Sequence, residues 1–133
     1  MKKIEHIGIA VNDIKESNIL FSKIFGKEAY KCEQVDSEGV ITSFFEMGES
    51  KIELVAATTD TSPIKKFLSN HSQGLHHIAF FVDDIKLEMD RLRSEGIRLL
   101  NETPKNGSDN KLICFLNPKD THGVLIEICQ EIN

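Results

Sequence analysis

Apolar and polar positions alternate along residues 4–11, IEHIGIAV, and β-branched side chains fill most of the apolar positions. Alternation of period two with that enrichment predicts a strand. The pattern then changes period. In IKESNILFSKIFG, Ile14, Phe21, Ile24 and Phe25 fall near one helical face, Asn12 or Asp13 can cap the start, and Gly26 stops the helix. Three strand-like runs follow: AYKCEQV, weakly patterned, then GVITSFFEM and SKIELVA, joined by a tight turn around Gly48. Residues 61–72 predict a connecting helix, with Ser62 at the N-cap and Pro63 at its first position, and Gly74 closing the segment.

The second half repeats this order. LHHIAFFV predicts a strand. Asp83 or Asp84 caps a helix whose Ile85, Met89 and Leu92 are spaced for one buried face. IRLLNE, KLICFLN and GVLIEICQ predict three further strands, with TPKNGSDN as a long loop between the first two. The repeat extends to particular residues. His6 and His77 each head an apolar strand 71 positions apart, and Glu53 and Glu127 stand in matching last strands 74 positions apart. The expected fold is therefore α+β: two tandem βαβββ modules, about 1–58 and 74–133, in a single domain.

Strand alternation assigns faces. Ile7, Ile9 and Val11, like Ile78, Phe80 and Val82, should pack on each module's own helix, as should Ile52, Leu54, Ile126 and Ile128. His6, His77, Glu53 and Glu127 then share the opposite surface, with small Gly8 and Ala79 leaving room beside the histidines. A lone histidine or glutamate on a strand is most often an ordinary structural residue. Four placed on one surface by an internal repeat suit a divalent cation, and imidazole with carboxylate favours Zn, Co, Ni, Mn or Fe over Ca.

Bulk properties narrow the partners. The 40% hydrophobic and 28% charged composition supports a packed core. No apolar run approaches the ~20 residues that span a bilayer, and the start lacks a signal-peptide pattern. Three scattered cysteines make a disulfide framework unexpected, so a cytoplasmic protein is expected. A net charge of −5 argues against general nucleic-acid binding but leaves room for an anionic small molecule. Lys105, Lys111 and Lys119 could meet phosphates, although each reads slightly better as part of a solvated loop; His71 reads as surface, His122 as an exposed turn and Cys129 as core.

The segments HIGIAV (6–11), IELV (52–55), TSPIKKFL (61–68), GLHHIAFFV (74–82) and FLNPKDTHGVLIEICQ (115–130) resemble the vicinal oxygen chelate superfamily, and within it the acyl-CoA epimerases. The resemblance implies two βαβββ modules forming an open, cup-like β-barrel around a metal. It makes His6, Glu53, His77 and Glu127 the ligands of a divalent cation, Co²⁺ favoured, with Mn²⁺, Ni²⁺, Zn²⁺ or Mg²⁺ possible. It also implies proton transfer alpha to the thioester of an acyl-CoA, Glu127 as one catalytic base, and a homodimer. Some members carry a second glutamate two residues past the Gly-Val pair, where this chain has Thr42, and many have histidine where it has Asn117. Glyoxalase-I-type lyase, extradiol dioxygenase and non-catalytic small-molecule binding are the competing functions on this fold.

Overall fold

A computed structural model describes all residues, 1–133. The chain runs β1 (Lys3–Ala10), α1 (Ile14–Phe25), β2 (Lys31–Val35), β3 (Val40–Met47), β4 (Ser50–Ala57), α2 (Pro63–His71), β5 (Gly74–Phe81), α3 (Ile85–Ser94), β6 (Lys105–Asn106), β7 (Lys111–Phe115) and β8 (Ile126–Glu131). Two βαβββ modules joined by a helix is the order expected from the repeat, and the α+β class holds.

Contacts divide the chain into two compact units, one formed by Met1–His6 with His77–Asn133 and the other by Ile7–His76. In the first, the start of β1 is followed in hydrogen-bonded order by β5, β8, β7 and β6. β5 runs parallel to β8, with Ala79 beside Glu127, and β7 runs antiparallel to β8, with Phe115 beside Glu127. In the second the order is β2-β3-β4-β1, and β3 and β4 pair antiparallel along their whole length across the turn at Gly48, whose φ of 65° suits a residue without a Cβ.

Each helix begins where a side chain satisfies its first amides. Asp13 Oδ1 accepts from the Glu16 amide at 3.0 Å, and Asp84 Oδ1 from the Leu87 amide at 3.1 Å. Ser62 does the same for Ile64 at 3.2 Å, with Pro63 at the first helical position. α1 ends at Gly26 in the left-handed region, φ 68°.

Burial follows the predicted faces. α3 lays Ile85, Met89 and Leu92 on Val82, Cys114, Leu116 and Ile128. Ile14, Phe21 and Phe25 of α1 pack on Val11, Phe45, Leu54 and Ala56. Removing such side chains from water contributes about 1.5–3 kcal/mol each.

Three expectations need correction. Ile24 does not join its helix's buried face but is 61% exposed, because Phe21 and Phe25 take the inner positions and a step of about 100° per residue swings it outward. IRLLNE is not a regular strand: only Leu99 bridges to Leu116. The ladder stops because Asn101 Oδ1 takes the Phe115 amide at 3.2 Å, replacing the backbone carbonyl that a continuing strand would offer. The short β6 forms instead, inside the stretch expected to be loop.

Candidate metal centre

Within the first unit, three side chains converge. His6 comes from β1, His77 from β5 and Glu127 from β8, and their relative exposures are 5%, 7% and 4%. His6 Nε2 lies 3.0 Å from His77 Nε2. Glu127 offers one oxygen to each ring, Oε2 to His6 Nε2 at 3.7 Å and Oε1 to His77 Nε2 at 3.6 Å. One ligand atom from each residue falls within 4.8 Å of the others. Alternation along β5 and β8 places His77 with Ala79 and Glu127 with Cys129 on the shared surface. Ala79 and Cys129 form an apolar wall with Ile113 and Phe115. The Phe115 ring meets His77 edge-on at 5.9 Å.

A residue that the pattern of the sequence did not single out completes this arrangement. Glu5 is 3% exposed, and its Oε1 lies 3.2 Å from His6 Nδ1. A carboxylate accepts, so Nδ1 carries the proton and Nε2 of a neutral His6 presents its lone pair. That lone pair faces His77 Nε2. The pair is satisfied by a proton on His77 or by a cation held between the two nitrogens. The only sequence signal for Glu5 was an acid next to a histidine in an otherwise apolar strand. Alternation alone would have turned it to the far face.

The donor set fits a divalent metal. Two imidazole nitrogens and a carboxylate, all buried, match the ligand chemistry of first-row transition ions. Glu5 and Glu127 also leave negative charge in a low-dielectric region, which a cation offsets. A carboxylate on the remote nitrogen of a ligating histidine fixes its tautomer and orientation.

The other predicted residues are placed as follows. Glu53 lies in the second unit on β4, opposite Phe44 in register and 4% exposed. Thr42 is buried, and its hydroxyl donates to the Glu33 carbonyl at 3.3 Å, so it stands committed as a donor. Asn117 caps a 3₁₀ turn, its Oδ1 accepting from the Lys119 amide at 3.0 Å. Lys111 is not a solvated loop residue. It is 4% exposed at the start of β7, with its ammonium donating to the Asp109 carbonyl at 3.0 Å and 3.7 Å from the Asp109 carboxylate. Lys105 is exposed and lies over the Phe115 ring at 5.8 Å. Lys119 and His122 are exposed, His71 stacks on Phe67 at 4.6 Å, and His76 meets Phe67 edge-on at 4.8 Å.

Known proteins share the fold and much of the sequence. The family model described as Glyoxalase/Bleomycin resistance protein/Dioxygenase superfamily matches residues 5–115. The chain belongs to that superfamily and is an isomerase of its epimerase branch. It is 39% identical over 127 residues to the mitochondrial methylmalonyl-CoA epimerase of Dictyostelium discoideum, covering 95% of this chain and 76% of that one. It is 35% identical over 130 residues to YqjC of Bacillus subtilis, an uncharacterized protein, covering 98% and 93%. Among solved structures, Streptomyces coelicolor methylmalonyl-CoA epimerase in complex with 2-nitronate-propionyl-CoA superposes with a TM-score of 0.94 at 31% identity, covering 100% of this chain and 99% of that one.

Proposed function

We propose that this protein interconverts the (2R) and (2S) forms of methylmalonyl-CoA with a divalent metal held by His6, His77 and Glu127, joined by Glu53 as fourth ligand. The observation that carries the reading is the buried convergence of His6, His77 and Glu127 ligand atoms within 4.8 Å. The epimerase names of the relatives support the substrate. Co²⁺ is favoured by the resemblance to the acyl-CoA epimerases, and the imidazole–carboxylate set is equally open to Zn, Ni, Mn or Fe.

When bound, the cation supplies positive charge against the negative charge that grows on the substrate's thioester oxygen as the alpha proton leaves. The remaining work falls to the protein. Glu5 holds the proton on His6 Nδ1 and so turns the Nε2 lone pair toward His77 Nε2. Ala79, Ile113, Cys129 and Phe115 exclude water along one wall. Glu127 takes the alpha proton, a role open to a carboxylate whose two oxygens are set apart toward different neighbours. Inversion needs a second proton carrier on the opposite face of that carbon. Thr42 is unsuited to it, since its hydroxyl is engaged as a donor. Glu53 or a water fills the role. The assembly is a homodimer in the cytoplasm, where the free thiols of Cys32, Cys114 and Cys129 persist.

Deuterium incorporation from D₂O into methylmalonyl-CoA, followed by NMR with metal-stripped and Co²⁺-reloaded protein, tests this. Exchange with interconversion of the two forms is expected only after reloading. No exchange from a folded protein that still binds Co²⁺ overturns the reading.

A further inference from the structure

We propose that the outward face of α1 is the surface on which a second copy of this chain docks. The inference goes beyond the proposed chemistry: it names the contact between copies and does not depend on the substrate.

The face carries three large apolar side chains in the open, Ile19 at 60% exposure, Leu20 at 52% and Ile24 at 61%. They are not the underside of an amphipathic helix, because Ile14, Phe21 and Phe25 already fill that role against β3 and β4. Single exposed apolar residues are ordinary, but neighbouring ones on one helix face mark a contact surface.

The internal repeat supplies a control. α3 is the copy of α1, and with the 71-residue offset the positions of Ile19, Leu20 and Ile24 hold Asp90, Arg91 and Glu95. There those three positions are charged, Arg91 pairing with Glu88 at 2.6 Å and Arg93 with Asp90 at 3.3 Å, and Leu87 alone among the large apolar side chains of α3 stands exposed, at 69%. The cluster of three apolar positions on α1 is therefore replaced by charge on α3, where one isolated leucine is left exposed.

Charge identifies the occupant. Glu16 and Lys23 sit one turn to either side of Ile19 and Leu20, both exposed and neither with an ion-pair partner inside the chain. A two-fold axis between Ile19 and Leu20 runs two copies of α1 antiparallel. It sets Ile19 beside Ile19 and Leu20 beside Leu20, and brings Glu16 of each copy against Lys23 of the other. Ile24 extends the Leu20 side. An isologous contact requires a surface complementary to itself, and Glu16-Ile19-Leu20-Lys23 has that form.

Sedimentation equilibrium of the full chain tests the proposal. The unaltered protein is expected to be dimeric at micromolar concentration. Ile19→Asp with Leu20→Arg writes the α3 surface onto α1 and is expected to raise the dimer dissociation constant about tenfold or more. Glu16→Lys is expected to weaken the dimer, and adding Lys23→Glu to restore it, which loss of folding cannot mimic. Leu87→Asp on exposed α3 is expected to leave the dimer intact. A monomeric unaltered chain overturns the proposal, as does a dimer unchanged by Ile19→Asp/Leu20→Arg.

Discussion

His6 and His77 head the first strands of two copies of one module, yet they are not held alike. Glu5 precedes His6 and turns to accept from its Nδ1 at 3.2 Å. His76 precedes His77 and turns away onto Phe67 at 4.8 Å. The two helices that follow repeat the theme, with matching caps at Asp13 and Asp84, but where α1 exposes Ile19, Leu20 and Ile24 the equivalent positions of α3 are Asp90, Arg91 and Glu95. The duplication has kept what each copy needs to fold, and the copies diverge where a task belongs to only one. One histidine receives a charged orienting group. One helix receives an apolar outer face.

The largest expected effects separate the repeat-related glutamates. If Glu127 is base and ligand while Glu53 is ligand only, Glu127→Gln lowers kcat by about 10²- to 10⁴-fold even at saturating Co²⁺. Glu53→Gln instead weakens Co²⁺ binding and recovers exchange when the metal is raised. Exchange rates measured across a Co²⁺ titration tell these apart, and equal, unrecoverable losses would assign proton transfer to both carboxylates.

Next in size is the contrast between Glu5 and His76. Glu5→Ala is expected to weaken Co²⁺ affinity about 10- to 100-fold, the usual range for losing the group behind a ligating histidine. His76→Ala is expected to leave that affinity unchanged and cost only the edge contact with Phe67, on the order of 1 kcal/mol. Calorimetric titration of both variants reads the metal term, and nitrogen NMR of the His6 ring reads the tautomer directly. An unchanged tautomer in Glu5→Ala would remove Glu5 from the site.

How much of this was legible beforehand follows from the range of the forces involved. The strands, the caps and the pairing of His6 with His77 are written in local alternation and in the repeat, so they could be read. Glu5 could not, because its role depends on a side chain bending back across its own strand, which periodicity does not encode. The end of the Leu99 strand was equally hidden: Asn101 captures the Phe115 amide from 14 residues away. Lys111 looked like loop charge because its burial against Asp109 depends on how residues 105–110 fold over it.

The caps should respond equally. Asp13→Ala and Asp84→Ala each remove a side-chain acceptor from the third amide beyond it, at 3.0 and 3.1 Å, so each is expected to cost about 1 kcal/mol in thermal or urea unfolding. A loss confined to one of them would show that the two helices, though built alike, contribute differently to the folded state.

The smallest expected effect concerns a feature found in one module only. β3 and β4 are joined by the tight turn at Gly48, whereas β7 and β8 are joined by residues 116–125, and that longer connection is tied down by Arg98. Arg98 donates to Asp120 from its amide at 2.8 Å and from Nε and Nη2 at 3.0 and 2.7 Å. The guanidinium lowers the Asp120 carboxyl from 3.8 to about 2. Because the folded value lies below the unfolded one, the stabilisation is complete above 3.8 and is lost as pH falls from there through about 2. Arg98 stays protonated throughout, so the carboxylate alone sets the window. Asp120→Asn keeps an acceptor but not the charge. Its Tm should lie slightly below that of the unaltered protein at about pH 5, and the two should converge by about pH 2. A gap that persists at the acid end would mean that the hydrogen bonds, and not the charge, hold the connection in place.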